Sequence, residues 1–100
     1  MNILHISSAN SWRGGEQQIA YLIEELQKIG HNNILMHPIH APIADHNRIM
    51  NKCIAIPYSK GFSVNPWVAN KIKKIVSKHN IDVIHAHDSH AHTFLYLSYI

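Results

Sequence analysis

The stretch NILHISSANSWRGGEQQIAYLIEELQKIG, residues 2–30, holds a strand, a loop and a helix in succession, and its reading decides the fold. Its opening, NILHI (Asn2–Ile6), is a nearly continuous apolar run, as a strand covered on both faces requires. The loop SSANSWRGG follows. In EQQIAYLIEELQKIG, the apolar residues Ile19, Leu22, Ile23 and Leu26 recur at i, i+3, i+4 and i+7, one face of a helix. Gly30 is placed to end that helix as its C-terminal cap.

Working outward, the same alternation continues. NILMH (Asn33–His37) predicts a second strand, and residues 38–51 read as loop with a short helix. CIAIP (Cys53–Pro57) predicts a third strand closed by its proline. Asn65 suits an N-cap and Pro66 the first helical position, with Val68, Ile72, Ile75 and Val76 as the buried stripe. Lys71, Lys73, Lys74 and Lys78 then face solvent and crowd the C-terminal half, where they favour the helix dipole. DVIHAH (Asp82–His87) is a fourth strand, and SHAHTFLYLSYI starts a helix with Ser89 as its N-cap. This grammar predicts an α/β fold of three layers, a Rossmann-like parallel sheet. Right-handed crossovers set the strand order 3-2-1-4. The chain reaches Ile100 within an apolar helix carrying Leu95 and Leu97, so an incomplete domain with an exposed, self-associating apolar edge is expected.

Composition narrows the function classes. One hundred residues allow one domain or a piece of one, and 46% hydrophobic with 15% charged residues is globular. The net charge of +3 suits an anionic ligand. Aromatics are not interleaved with the lysines as a stacking platform for nucleic acid would need, so no nucleic-acid partner is expected. Cys53 is the only cysteine, which excludes an intrachain disulfide and fits a cytoplasmic setting. It reads as a small buried side chain on a strand. Neither a basic leader nor a run approaching the roughly 18 apolar residues of a spanning helix is visible. The expectation is a soluble protein, or one attached peripherally to the inner face of a membrane.

In open parallel sheets, ligands bind outside the carboxyl ends of the strands where strand order reverses, here between strands one and four. Gly14 and Gly15 reach that crevice at the start of the first helix, and HAHD (His85–Asp88) reaches it at the end of the fourth strand. Glycines there let backbone N–H groups approach an anion, and Arg13 adds a charge. The alternative is a tight strand-to-helix turn with no ligand. Glu16 reads as a helix-start acid, and the loop lacks G-x-G-x-x-G, which argues against a dinucleotide.

The histidines divide by position. His5 reads as a hydrogen-bonded core residue, His31, His46 and His79 as exposed, and His37 and His40 as candidates for the crevice rim. His85 and His87 point to one side because alternate residues of a strand do. His85, deeper in the strand, is expected to carry more of the stability, and His87 more of the ligand contact. HAHDSH departs from the binuclear hydrolase pattern H-x-H-x-D-H, its aspartate coming one residue early. A metal set of His85, His87 and His90 is conceivable, but the expectation is no metal and no cofactor.

Taken together, ILHI, the loop carrying GGE into a helix, and DVIHAHDSHAH resemble the N-terminal domain of family 4 glycosyltransferases, over essentially the whole chain. The resemblance implies a GT-B arrangement of two Rossmann-like domains, with residues 1–100 supplying the acceptor-side part and the C-terminal domain missing. It implies sugar transfer from a nucleotide-sugar donor to a glycan or lipid-linked acceptor with retention, in polysaccharide biosynthesis, and inactivity of the isolated chain. His87 then matches the histidine that reaches the transferred sugar, Asp88 the adjacent acid, and Gly14 and Gly15 the loop near the donor phosphates. Arg13, Glu16 and His85 complete the expected substrate-binding set. Two other readings stay open: a non-catalytic nucleotide- or sugar-phosphate-binding remnant, and a histidine-rich metal-binding domain.

Overall fold

A computed structural model describes residues 1–10, 12, 14–45, 51–59 and 66–99. Its elements in chain order are β1 (Asn2–Ile6), α1 (Gly14–Lys28), β2 (Asn32–Pro38), a 3-10 turn (Pro42–Asp45), β3 (Ile54–Tyr58), α2 (Pro66–Lys78), β4 (Val83–Ala86) and α3 (Ser89–Ser98). All strand pairings are parallel and the sheet order is β3-β2-β1-β4, as the alternation predicts.

Alternation along the strands divides the core into two layers. Leu4 and Ile6 of β1, Ile34 and Met36 of β2 and Ala86 of β4 pack with Val68, Ile72 and Ile75 of α2 and Ala91 of α3. On the opposite face, Leu35 of β2 packs with Ile19, Ala20 and Ile23 of α1 and with Ala41 and Ile43 around the 3-10 turn. His5, between Leu4 and Ile6, must point to the α1 side of the sheet, and so must His85, its register partner on β4. On that side β4 is open: Val83 is 41% exposed and His85 is exposed. Tyr96, Tyr99 and Trp67 are exposed as well.

Both long helices end in a left-handed residue. Gly30 has φ 93°, and the N–H groups of Gly30 and His31 donate to the carbonyls of Gln27 and Leu26 at 3.1 and 3.0 Å, a Schellman ending. Asn80 plays the same part after α2, with φ 51° and the Ile81 N–H donating to Val76 at 3.1 Å. Asparagine tolerates this region because its short polar side chain can bond locally.

Several details depart from the sequence reading. The buried stripe of α1 is Glu16, Ile19, Ala20 and Ile23, with Leu22 and Leu26 only half-buried. Ala20 is small enough to let the helix lie close to β2 along that line. Ala69 joins the α2 stripe, and Val76 sits at its margin. Pro57 lies inside β3 instead of closing it, which the edge position of β3 permits. Cys53 precedes that strand, half-buried, and burial pushes its thiol up to about 11. Lys71 does not stand free in solvent: it bends back to donate to the Pro57 carbonyl. The N-cap of α3 is Asp88 and not Ser89. Leu95 packs against the core, while Asn65, His46 and Ile100 and the side chain of Leu97 lie outside the described residues. Among the described residues, no helix is long and apolar enough to cross a membrane.

Candidate active site at the carboxyl ends of the strands

Parallel pairing places His5 of β1 opposite His85 of β4, and the β1–β4 ladder continues with the His87 N–H donating to the Ile6 carbonyl at 3.0 Å. Three imidazoles therefore share one face of two adjacent strands. The rings of His85 and His87 stack with centroids 3.8 Å apart, and those of His5 and His87 lie 5.2 Å apart.

A hydrogen-bond chain orders these rings. His5, fully buried, sets its Nε2 2.9 Å from Asn33 Oδ1 and its Nδ1 3.0 Å from His87 Nε2. The Asn33 amide nitrogen faces the carbonyls of Ile23 and His31, which leaves its oxygen for His5. An amide oxygen only accepts, so His5 carries its proton on Nε2 and presents the Nδ1 lone pair to His87. His87 Nε2–H then donates to it. Burial, with the charges that His85 and His5 would carry, holds His87 down at about 3, and Asp88 offsets this in part. His5 is lowered too, first by burial, with the Asn33 bond opposing and His85 adding. Both are neutral imidazoles near neutral pH.

Asp88 fixes the end of this strand. Its Oδ1 accepts from the Ala91 N–H at 2.9 Å, capping α3, and from the Ser8 hydroxyl, while Oδ2 accepts from the Ser8 N–H at 2.8 Å. The carboxylate thus ties the loop after β1 to the start of α3. Tyr58 ties the same loop to β3, its buried hydroxyl donating to the Ser7 carbonyl at 2.7 Å. Burial, then Asp88, raises the Tyr58 pKa well above the usual phenol range, so it stays a donor.

Gly14 and Gly15 form the exposed first turn of α1. Neither has positive φ, and a Cβ added at either would meet nothing within 4 Å. Among the described residues, the tight-turn reading of these glycines therefore finds no steric basis. Glu16 is buried at 6% exposure, facing the sheet instead of simply standing at a helix end in solvent. Arg13 lies outside the described residues.

Residues 12–100 match the family model described as Glycosyltransferase Family 4. The chain belongs to this family. A comparison with curated proteins finds no match. The match takes in every element of this family 4 domain after β1, including the strand β4 that HAHD ends.

The structure changes the standing of three histidines in the domain. His5, read from sequence as a core residue, is one, but it also contacts His87 directly. Its signal was available: a histidine on β1 in register with one on β4 must share its face. His85 is exposed and His87 half-buried, the reverse of the expected depth, because β4 is an edge strand whose end tucks beneath the Ser8 loop. The histidines that come together also differ from the set weighed from sequence. The third ligand considered, His90, has its side chain outside the described region, whereas His5, His85 and His87 hold nitrogen atoms all within 4.8 Å of one another. His37 is buried inside β2 with Nδ1 2.9 Å from the Pro38 carbonyl, so it does not line a rim. His40 is exposed with φ 68°.

The neutral pair sets a pH dependence. In the unfolded chain both imidazoles return to about 6.5, so below that pH the unfolded state binds more protons and stability falls with acidification. Between pH 6.5 and 5, each imidazole kept neutral would cost at most about 2 kcal/mol, and about half that for the partly exposed His87. Thermal melts with a chelator present should show stability fading through this window, and His87→Gln should flatten the slope. An unchanged slope in that variant would show that His87 is not the titrating group.

Proposed function

We propose that this domain is the acceptor-side, N-terminal part of a retaining glycosyltransferase that moves a sugar from a nucleotide-sugar donor to a glycan or lipid-linked acceptor. The observation that carries the reading is His87: a neutral imidazole at a strand's carboxyl end, oriented by His5 and Asn33 and beside the tethered Ser8 loop. Family membership supports sugar transfer in general terms.

Sugar transfer develops positive charge on the sugar and negative charge on the departing phosphate. The N-terminal end of α1 carries a partial positive charge, and glycines at 14 and 15 let a phosphate approach its backbone closely. Arg13 adds a full charge to this loop. His87 orients a sugar hydroxyl, His85 contacts the same substrate from the exposed side, and Asp88 holds both in place through Ser8 and α3. Glu16 supports the phosphate-facing turn from beneath. The second Rossmann-like half completes the donor site. The reaction needs no cofactor, and a cytoplasmic setting, with peripheral attachment at the membrane's inner face, suits a lipid-linked acceptor.

Gly15→Ala separates this reading from a bare structural turn. Alanine should be neutral or stabilising in the helix by up to about 1 kcal/mol, since φ is ordinary and the space is open. In a protein carrying both halves, the same variant should raise the KM for the sugar nucleotide at least tenfold, because its Cβ obstructs the phosphate. An unchanged KM would remove the glycine turn from the donor site.

A further inference from the structure

We propose that His5, His85 and His87 form a binding site for a divalent transition-metal ion of the zinc class. Three imidazoles from two neighbouring strands present nitrogen atoms within 4.8 Å of one another, on a face where β4 is open to solvent. His5 is prepared as a ligand. Its Nε2–H is held by Asn33 Oδ1, which fixes the ring and turns the Nδ1 lone pair into the cluster, the arrangement that outer partners impose on metal-bound histidines.

The spacing fits. His5 Nδ1 and His87 Nε2 are 3.0 Å apart, close to the roughly 3.3 Å between two nitrogens bound to one tetrahedral zinc. His85 is exposed, so its ring can turn to close the remaining distance without disturbing the core. On binding, the proton on His87 Nε2 moves to Nδ1, and two metal–nitrogen bonds replace the His5–His87 hydrogen bond. The charge on the protein does not change. The open side leaves a fourth position for water or another small ligand. An all-imidazole set selects zinc, cobalt, nickel or copper over magnesium or calcium, which prefer oxygen. Asp88 does not join it, since its carboxylate is engaged by Ser8 and Ala91.

The site goes beyond the sugar-transfer reading, with which it shares His85 and His87, and does not depend on it. An ion there replaces the His5–His87 hydrogen bond and turns His87 Nδ1 from an acceptor into a donor; it is an occupant of the cluster, not a catalyst.

The test is zinc titration of the untagged chain after exhaustive chelation, read by competition with a chromophoric chelator, with cobalt absorption as a second signal. One equivalent should bind, with the intense visible bands of a four-coordinate cobalt site. His85→Ala, at an exposed position, should keep its circular dichroism but bind at least about tenfold more weakly. His31→Ala controls for the other nitrogen pair, since the His31 Nδ1 lies 2.9 Å from the amino terminus, and should leave binding unchanged. Zinc should raise the melting temperature of the parent and not of His85→Ala. Absence of a saturable equivalent, or equal binding by parent and His85→Ala, would overturn the site. Either result leaves the sugar-contact role of His87 untouched, which is judged by turnover.

Discussion

His87→Ala is expected to slow sugar transfer by roughly 10- to 150-fold while leaving the fold in place, measured in a protein carrying both halves of the enzyme. His87 sits at the carboxyl end of β4, with its ring fixed by the bond to His5 Nδ1. A hydrogen bond to the reacting sugar that strengthens in the transition state contributes on the order of 1.5–3 kcal/mol, which corresponds to that loss. Its removal leaves the His5 Nδ1 lone pair without its partner, but water can enter from the open side of β4. The melting temperature should therefore fall modestly. His85→Ala should leave it almost unchanged, because His85 is exposed. If His87→Ala keeps the parent's turnover, the cluster is structural and the site assignment fails.

A larger loss of stability is expected at Asp88. Asp88→Ala removes the N-cap of α3, costing about 1 kcal/mol, and both bonds from Ser8. Hydrogen bonds to a charged group contribute about 1.5–3 kcal/mol, and here they hold the loop after β1 against α3. A total of about 2–4 kcal/mol would lower the melting temperature on the order of 10–25 °C in a domain of this size. Asp88→Asn should recover part of it, since asparagine caps helices well but accepts less strongly. A melt of Asp88→Ala within a few degrees of the parent would mean that the tether does not matter to the folded state. Because the tether also positions His87, Asp88→Ala should lower turnover even at temperatures where it stays folded.

The contrast between these two residues shows where sequence reading succeeds. Both were legible as candidates, since a strand ending in HAHD at a sheet's reversal point faces the ligand crevice. Their division of labour was not legible. Asp88 accepts from Ser8, 80 positions away, and His87 donates to His5, 82 positions away. No local pattern reports such pairings. Cys53 and Lys71 went astray for a related reason: strand edges and flexible side chains are settled by neighbours, not by periodicity.

What the sequence determined by itself was the order of elements, the faces of α1 and α2 to within a residue or two, and the 3-2-1-4 sheet. Those follow from short-range rules: apolar period, caps, and the handedness of parallel crossovers. It also paired His85 with His87, because alternation along one strand is local. Only the tertiary structure brought His5 to them and Asn33 behind it, made His87 the more buried of the pair, and turned Asp88 into the cap that holds Ser8. The physical reason is register: sliding β1 by one residue against β4 would send His5 to the opposite face and dissolve the cluster.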